Sequence, residues 1–403
     1  MAVPGLRFLF ARRGESWRTL CGLFWRSLRA EGIGATWRRC RDYAGAITAA
    51  AETPLPSTAT RKHVLFVAGC PGHPRRWRCE HALERVRAAG RDGDLVDHPA
   101  APLLDYVDCY EQFVLQRVPH DASVEAFVRA ARAKGKRVVA DVDDLVIHER
   151  YGPELPILRG YTPLARELYV QQLRRIGLVF GLVDEATAAT APLAEELRRC
   201  FPHLRVQVAR NVASRAMVER STAALAAAPD VAADGSVVIG YFSGTRTHAA
   251  DLATIEAAIV AVLESRPQAA LLLAGEIDVP PAFGRFGERV RTCGPVPWQE
   301  LPASLRRADV HVVPLAFARF TACKSELKWV EAGLVARPVV AAAVGPYRDC
   351  VRHRENGWLA ATGEHFVAAL HEAIDDVALR VRLGAAARAE VLADWTTTSA
   401  LPR

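Results

Sequence analysis

The sequence predicts an α/β protein of two halves, each built on a mostly parallel sheet covered by helices. Three observations predict it. The chain has 403 residues, more than one hydrophobic core usually serves. Short apolar runs alternate with helical patterns in two separate series. Between the series lies an alanine-rich stretch, 223–233, with Pro229 inside it.

The first series opens with Lys62–Ala68, an apolar run of the kind found in strands buried on both faces. Strands are expected again at Gln112–Gln116, Arg137–Ala140 and Glu185–Thr190, with helices at Arg78–Ala89, Val124–Ala133 and Leu193–Cys200. The second series carries strand patterns at Val237–Phe242, Ala270–Ala274, Val310–Leu315 and Val339–Ala343. Its helices are expected near 250–265, 299–307, 325–335 and 364–392. The domain plan is a leader and linker at 1–60, a Rossmann-like half at 61–215, a linker at 216–235 and a second Rossmann-like half at 236–403. Ligands of such sheets sit beyond the carboxyl ends of the strands, and two such halves facing one another would make a cleft.

The net charge of +7 is concentrated at the start. Residues 1–45 hold nine arginines against Glu15, Glu31 and Asp42. The remainder is nearly neutral, which argues against a nucleic-acid groove. In the leader, Trp17, Leu20, Leu23, Phe24 and Leu28 recur at helical spacing, with Arg18, Arg26 and Arg29 elsewhere on the wheel. Two readings stand: a helix lying on an anionic membrane surface, or a helix packed on the body with its arginines in solvent. The nine cysteines include no C-x-x-C pair and are odd in number, which favours free thiols over a zinc site or disulfide framework. Arginines interrupt Phe8, Leu9 and Phe10, so no secretory pattern is read, and no uncharged run is long enough to span a bilayer. The expected location is cytoplasmic, with the inner membrane face as a peripheral site.

Four segments carry candidate chemistry. Gly240–His248 follows a strand and precedes a helix; its Gly244, Thr245, Arg246 and His248 form a turn whose backbone and guanidinium suit a phosphate. An ordinary strand-to-helix turn is the competing reading. Phe320–Glu331 holds Lys324 and Lys328, two of only five lysines in the chain. On a helix, 324, 328 and 331 share one face. Its start at Lys324 and Ser325 would aim amide groups at a diphosphate, and Glu331 would accept ribose hydroxyls. A solvated helix face with a Lys328–Glu331 ion pair competes. Asp141, Asp143 and Asp144 end a strand; they suit a divalent cation, or the lining of a cleft. Finally, Gly69–Arg78, with His73 and Arg78, follows the first strand and lacks the G-x-G-x-x-G of nicotinamide sites. His73, His120 and His311 are each read as structural before catalytic.

Together, Ile239–His248, Lys324–Ala332, Pro338–Ala341 and Asn356-Gly357, with Leu115–Arg117 and Asp141–Leu145, resemble the retaining glycosyltransferases of the large family-four group, in a bacterial branch acting on surface polysaccharides. The resemblance spans about residues 61–392. It implies a GT-B fold, a nucleotide-sugar donor in the C-terminal half, and a glycan or lipid-linked acceptor on the N-terminal half. It also implies no essential metal or cofactor beyond the donor. By similarity, Arg246 and Lys324 meet the diphosphate as the catalytic cations. Gly244, Thr245, His248, Ser325, Lys328 and Glu331 complete the donor site. His73, Arg78, Asp141, Asp143 and Asp144 are assigned to the acceptor. Glu331 matches the second glutamate of the family's E-x7-E element; the first is replaced by Cys323, which bears on the sugar contacts. The alternative reading is a non-catalytic nucleotide-sugar-binding scaffold. An epimerase on the same architecture receives no specific support.

Overall fold

A computed structural model describes residues 17–51, 56–98, 101–227, 236–244 and 249–399. The chain forms two compact units that divide between Arg210 and Asn211. Each contains one six-stranded sheet in which every pairing is parallel.

The N-terminal unit begins with helix α1 (Trp17–Ala51). Its strands are β1 (Lys62–Ala68), β2 (Gly93–Asp97), β3 (Tyr110–Gln116), β4 (Arg137–Val142), β5 (Glu185–Ala188) and β6 (Arg205–Val208), in the order β2-β1-β3-β4-β5-β6. The sheet's helices are α2 (His81–Ala88), α3 (Ala122–Ala133), α4 (Pro163–Phe180) and α5 (Ala191–Cys200). Their starts follow local chemistry. The Asp121 carboxylate accepts the Ser123 and Val124 amides at 2.9 Å each, and Thr162 and Thr190 cap α4 and α5 ahead of Pro163 and Pro192.

The C-terminal unit opens with α6 (Arg215–Ala226), whose cap is Ser214. The sequence placed the start of a linker here. Its sheet contains β7 (Val237–Ser243), β8 (Ala269–Gly275), β9 (Val290–Cys293), β10 (Val310–Val313), β11 (Val339–Ala342) and β12 (Trp358–Ala360), ordered β12-β11-β10-β7-β8-β9. Helices α7 (Ala249–Ala253), α8 (Glu256–Ser265), α9 (Leu301–Leu305), α10 (Arg319–Ala322), α11 (Leu327–Leu334), α12 (Tyr347–Cys350), α13 (Gly363–Asp375) and α14 (Val377–Asp394) complete the unit. Two expected helices are each divided. The one at 250–265 becomes α7 and α8, and the one at 364–392 breaks at Asp376, whose carboxylate caps α14 by accepting the Leu379 amide at 2.8 Å. The helix expected at Arg78–Ala89 starts with a π-helical stretch, Arg76–Glu80, before α2.

Both sheets reverse their winding at one place. In the N-terminal unit the reversal lies between β1 and β3; in the C-terminal unit it lies between β7 and β10. At such a point the loops leaving the two strands diverge to opposite faces and open a crevice at their carboxyl ends. Close backbone packing occurs at the carboxyl ends of β1 and β3, at the first reversal, and of β7 and β8, beside the second. A Cβ on Gly69 would fall 2.3 Å from the Arg117 carbonyl oxygen, and one on Gly275 (φ 106°) would fall 1.8 Å from that of Ser243.

Candidate functional site

In the C-terminal unit, the loops leaving β7 and β10 at this reversal carry the motifs that the sequence singled out. Gly244 directly follows β7 in an exposed position, and among the described residues no heavy atom lies within 4 Å of a Cβ built there. Thr245, Arg246 and His248 lie outside the described residues.

From β10, the chain passes Pro314 and Leu315, makes the short helix α10, and reaches Cys323, Lys324 and Ser325 before α11 begins at Leu327. Lys324 and Ser325 therefore precede the helix rather than starting it. The cause is local. The Cys323 and Lys324 amides bond back into the α10 turn, and Glu326 takes the N-cap position, its carbonyl accepting the Trp329 and Val330 amides at 3.0 and 3.2 Å. The residues are nevertheless gathered. Lys324 Nζ lies 3.9 Å from the buried carboxylate of Asp251 in α7 and 5.1 Å from the centre of the Phe320 ring. Lys328 Nζ sits 4.8 Å from the centre of the Tyr241 ring on β7. Ser325 Oγ accepts a 3.0 Å hydrogen bond from the Asn211 side chain. The Tyr347 hydroxyl is 3.4 Å from the Ser325 carbonyl oxygen. Trp329 and Val330 are buried, Trp329 edge-on to Trp395 at 5.4 Å, so the opposite face of α11 carries Lys328 and Glu331.

Charge is dense here. Burial lowers the Lys328 ammonium to about 8, and the Lys324 cation adds to this, while Asp251 and Glu331 oppose it. Burial, then Asp251, pushes the Tyr241 phenol up. Lys324 and Lys328 thus lie close together, with the carboxylates of Asp251 and Glu331 beside them. A stability consequence follows for Lys328. An unfolded lysine titrates near 10.5, so the unfolded chain binds more protons than the folded one between about 8 and 10.5, and stability rises with pH across that window. Lys328→Met is expected to raise the urea midpoint at pH 7 and to lose that advantage as pH climbs toward 10.5. An advantage constant with pH would mean that Lys328 is not desolvated in the folded chain.

Asp251 and Asn211 were missed in the sequence. Asp251 lies in the first turn of α7, where an acid reads as a routine partner of the helix dipole. Only the fold shows its Oδ1 accepting the Ala316 amide at 3.2 Å, which ties α7 to the β10 exit loop. His311, by contrast, is a core group: buried, lowered to about 3 by that burial and then by Arg337, with its Nε2 3.1 Å from the Leu305 carbonyl oxygen.

At the reversal of the N-terminal sheet, Arg78 and Asp141 are buried against each other. Arg78 Nε donates to Asp141 Oδ2 at 3.0 Å, and its two terminal nitrogens reach Asp141 Oδ1 and the Ala209 carbonyl. The Thr187 hydroxyl adds a 2.6 Å bond to Asp141. The side chains expected to face an acceptor are here a scaffold joining the segment after β1 to β4, β5 and the end of the unit. Asp143 accepts from Arg117 Nε at 2.6 Å; burial lowers the Arg117 guanidinium pKa, and the groups around it, Asp143 foremost and Asp144 among them, together raise it above its ordinary value. Asp144 accepts the Leu145 amide at 2.9 Å. His73 is exposed, its Nδ1 3.1 Å from an Arg76 nitrogen. Among the described residues, no group of three or more His, Cys, Asp or Glu side chains is arranged to hold a metal ion.

Residues 236–378 match the family model described as "Glycosyl transferases group 1". A search of curated proteins by sequence found no match. Among solved structures, the chain is similar to sucrose-phosphate synthase from Thermosynechococcus elongatus, with a TM-score of 0.54 and 16% identity over 83% of this chain and 95% of that one. It is similar to Anabaena HepE in complex with UDP, with a TM-score of 0.53 and 15% identity over 83% and 96%. A glycosyltransferase from Rickettsia africae gives a TM-score of 0.56 at 10% identity over 84% and 95%. The two six-stranded parallel sheets are thus those of GT-B glycosyltransferase structures, and the C-terminal unit contains the stretch that matches a glycosyl transferases group 1 domain.

Proposed function

We propose that the chain is a retaining, metal-independent glycosyltransferase that moves a sugar from a nucleotide-sugar donor to a glycan or lipid-linked acceptor in surface-polysaccharide synthesis. The observation that carries the reading is the pair Lys324 and Lys328, gathered beside Asp251 and Glu331 in a segment that leaves β10, at the sheet's reversal point. The match of residues 236–378 to a glycosyl transferases group 1 model supports it, as does the fold shared with HepE, which was solved with UDP.

Breaking the anomeric bond builds negative charge on the departing nucleoside diphosphate. Lys324, with Arg246, would meet that charge as it forms, in a place already ordered by Asp251 and Asn211, so little reorganisation is needed in the transition state. Ser325 and the amides at the start of α11 would add hydrogen bonds to the phosphates, and Glu331 would accept the ribose hydroxyls. Gly244 leaves room for a close backbone approach, with Thr245 and His248 beside it in sequence. In the N-terminal unit, His73, Asp143 and Asp144 remain the proposed acceptor contacts.

The test is calorimetry against UDP-, GDP-, ADP- and dTDP-sugars. One donor class is expected to bind, and Glu331→Ala is expected to weaken it about tenfold or more, the scale of a hydrogen bond to a charged group. Unaltered affinity would remove Glu331 from the site. A second reading rests on Cys323, which is buried where the resembled family has a sugar-binding glutamate. Donor binding with neither hydrolysis nor transfer would favour a non-catalytic scaffold.

A further inference from the structure

The helix α1 is broken at Gly32, whose φ of 78° and ψ of 175° no helix interior adopts. The Thr36 hydroxyl lies 2.9 Å from the Gly32 carbonyl oxygen and 3.0 Å from Ser27 Oγ, and both Ser27 and Thr36 are buried. Residues nine apart along a straight helix are separated by about 13 Å. The contact therefore requires the chain to reverse at Gly32, and α1 is a helical hairpin.

The hairpin's first arm is fastened to the N-terminal unit. Leu23 packs with Leu164, Leu168 and Tyr169, Arg26 pairs with Glu167 at 2.5 Å, and Thr162 bonds to Glu31. This is the packed arrangement that the sequence offered as one of two readings. Yet the hairpin keeps a large apolar surface outward: Phe24 is 39% exposed, Trp25 57%, Ile33 79% and Trp37 71%. Trp25 and Trp37 are the only tryptophans among the exposed large hydrophobic residues described. Arg29, Arg38 and Arg41 are exposed in the same hairpin.

We propose that this hairpin docks the protein on an anionic lipid surface. Tryptophan is the side chain best suited to a membrane–water interface, apolar in body and polar at one edge. Basic residues beside it are drawn to acidic headgroups. A second copy of the same hairpin fits less well, because a symmetric contact would set like against like in a segment, 17–51, holding six arginines against Glu31 and Asp42. Leu23 and Tyr169 pack against the same pair, Leu164 and Leu168, which holds the hairpin on α4 of the N-terminal unit. Resting on the transferase reading, this narrows the acceptor class to one carried by a membrane lipid.

The docking test needs no donor or acceptor. The full chain is sedimented with vesicles of phosphatidylcholine, alone and mixed with phosphatidylglycerol. Binding to the mixed vesicles is expected, weakening as salt screens the charges. Trp25→Ser with Trp37→Ser, at exposed positions, is expected to lower partition about tenfold with an unchanged melting curve. Arg29→Glu with Arg38→Glu provides an independent variant with the same expected loss. Equal binding to neutral and anionic vesicles, binding indifferent to both variants, or a dimer that the tryptophan variant dissolves would each overturn the proposal. Donor affinity measured in parallel separates such a failure from a failure of the transferase reading.

Discussion

Lys324→Ala is expected to lower turnover by about 10²-fold or more with the fold intact, the usual consequence of removing one preorganised group that stabilises charge in a transition state. The effect should fall mainly on kcat, because the leaving diphosphate carries more charge as the bond breaks than in the ground state. The surroundings of Lys324 make the loss hard to compensate. Its ammonium is held 3.9 Å from Asp251, which is itself fixed by the Ala316 amide, so on the proposed reading the cation would be positioned before a donor binds. Lys324→Arg, which keeps the charge, is expected to recover part of the rate. Arg246→Ala belongs to the same prediction. Turnover unchanged in both alanine variants would leave the proposed chemistry without its cations.

The largest expected effect on stability lies in the other unit. Asp141→Ala should destabilise it by about 3–5 kcal/mol, the range found when one partner of a buried ion pair is removed. Arg78 would then remain buried beneath the sheet's carboxyl edge without the carboxylate that it pairs with directly. Burial acts to lower its pKa, and the Asp141 carboxylate reverses this and raises it. Arg78→Met with Asp141→Leu removes both charges and is expected to recover most of the loss, since buried pairs often exchange for apolar groups at little cost. Urea denaturation of the two variants measures this. If Asp141→Ala costs under about 1 kcal/mol, the pair is not the buried scaffold described.

The sequence made the sheets legible because parallel strands buried on both faces leave near-continuous apolar runs. Lys62–Ala68 and Ala269–Gly275 are such runs and were recognised almost to the residue. β6 was missed because it is short and mostly exposed, and β12 because three residues carry no period. The two-half plan was equally legible, whereas α6 fell almost wholly inside the expected linker at 216–235, only its last turn reaching the alanine-rich stretch. At the proposed donor site, the rarity of lysine drew attention to Lys324 and Lys328. The geometry bringing them together differs from the expected helical stripe, because Glu326 caps α11 two residues after Lys324. Asp251 and Asn211 were invisible, since their significance lies in contacts across long stretches of chain. Arg78 and Asp141 looked like cleft residues because charge in sequence suggests exposure. Their 63-residue separation concealed that each neutralises the other.

The central claim is that a nucleoside diphosphate rests on the segment leaving β10. A crystal structure of the chain with its best-binding nucleoside diphosphate tests this directly. The phosphates are predicted to lie within hydrogen-bond distance of Lys324 Nζ and of the backbone between Ser325 and Lys328, with the ribose at Glu331. A nucleotide bound elsewhere, with Lys324 still turned to Asp251 and Glu331 untouched, would contradict it.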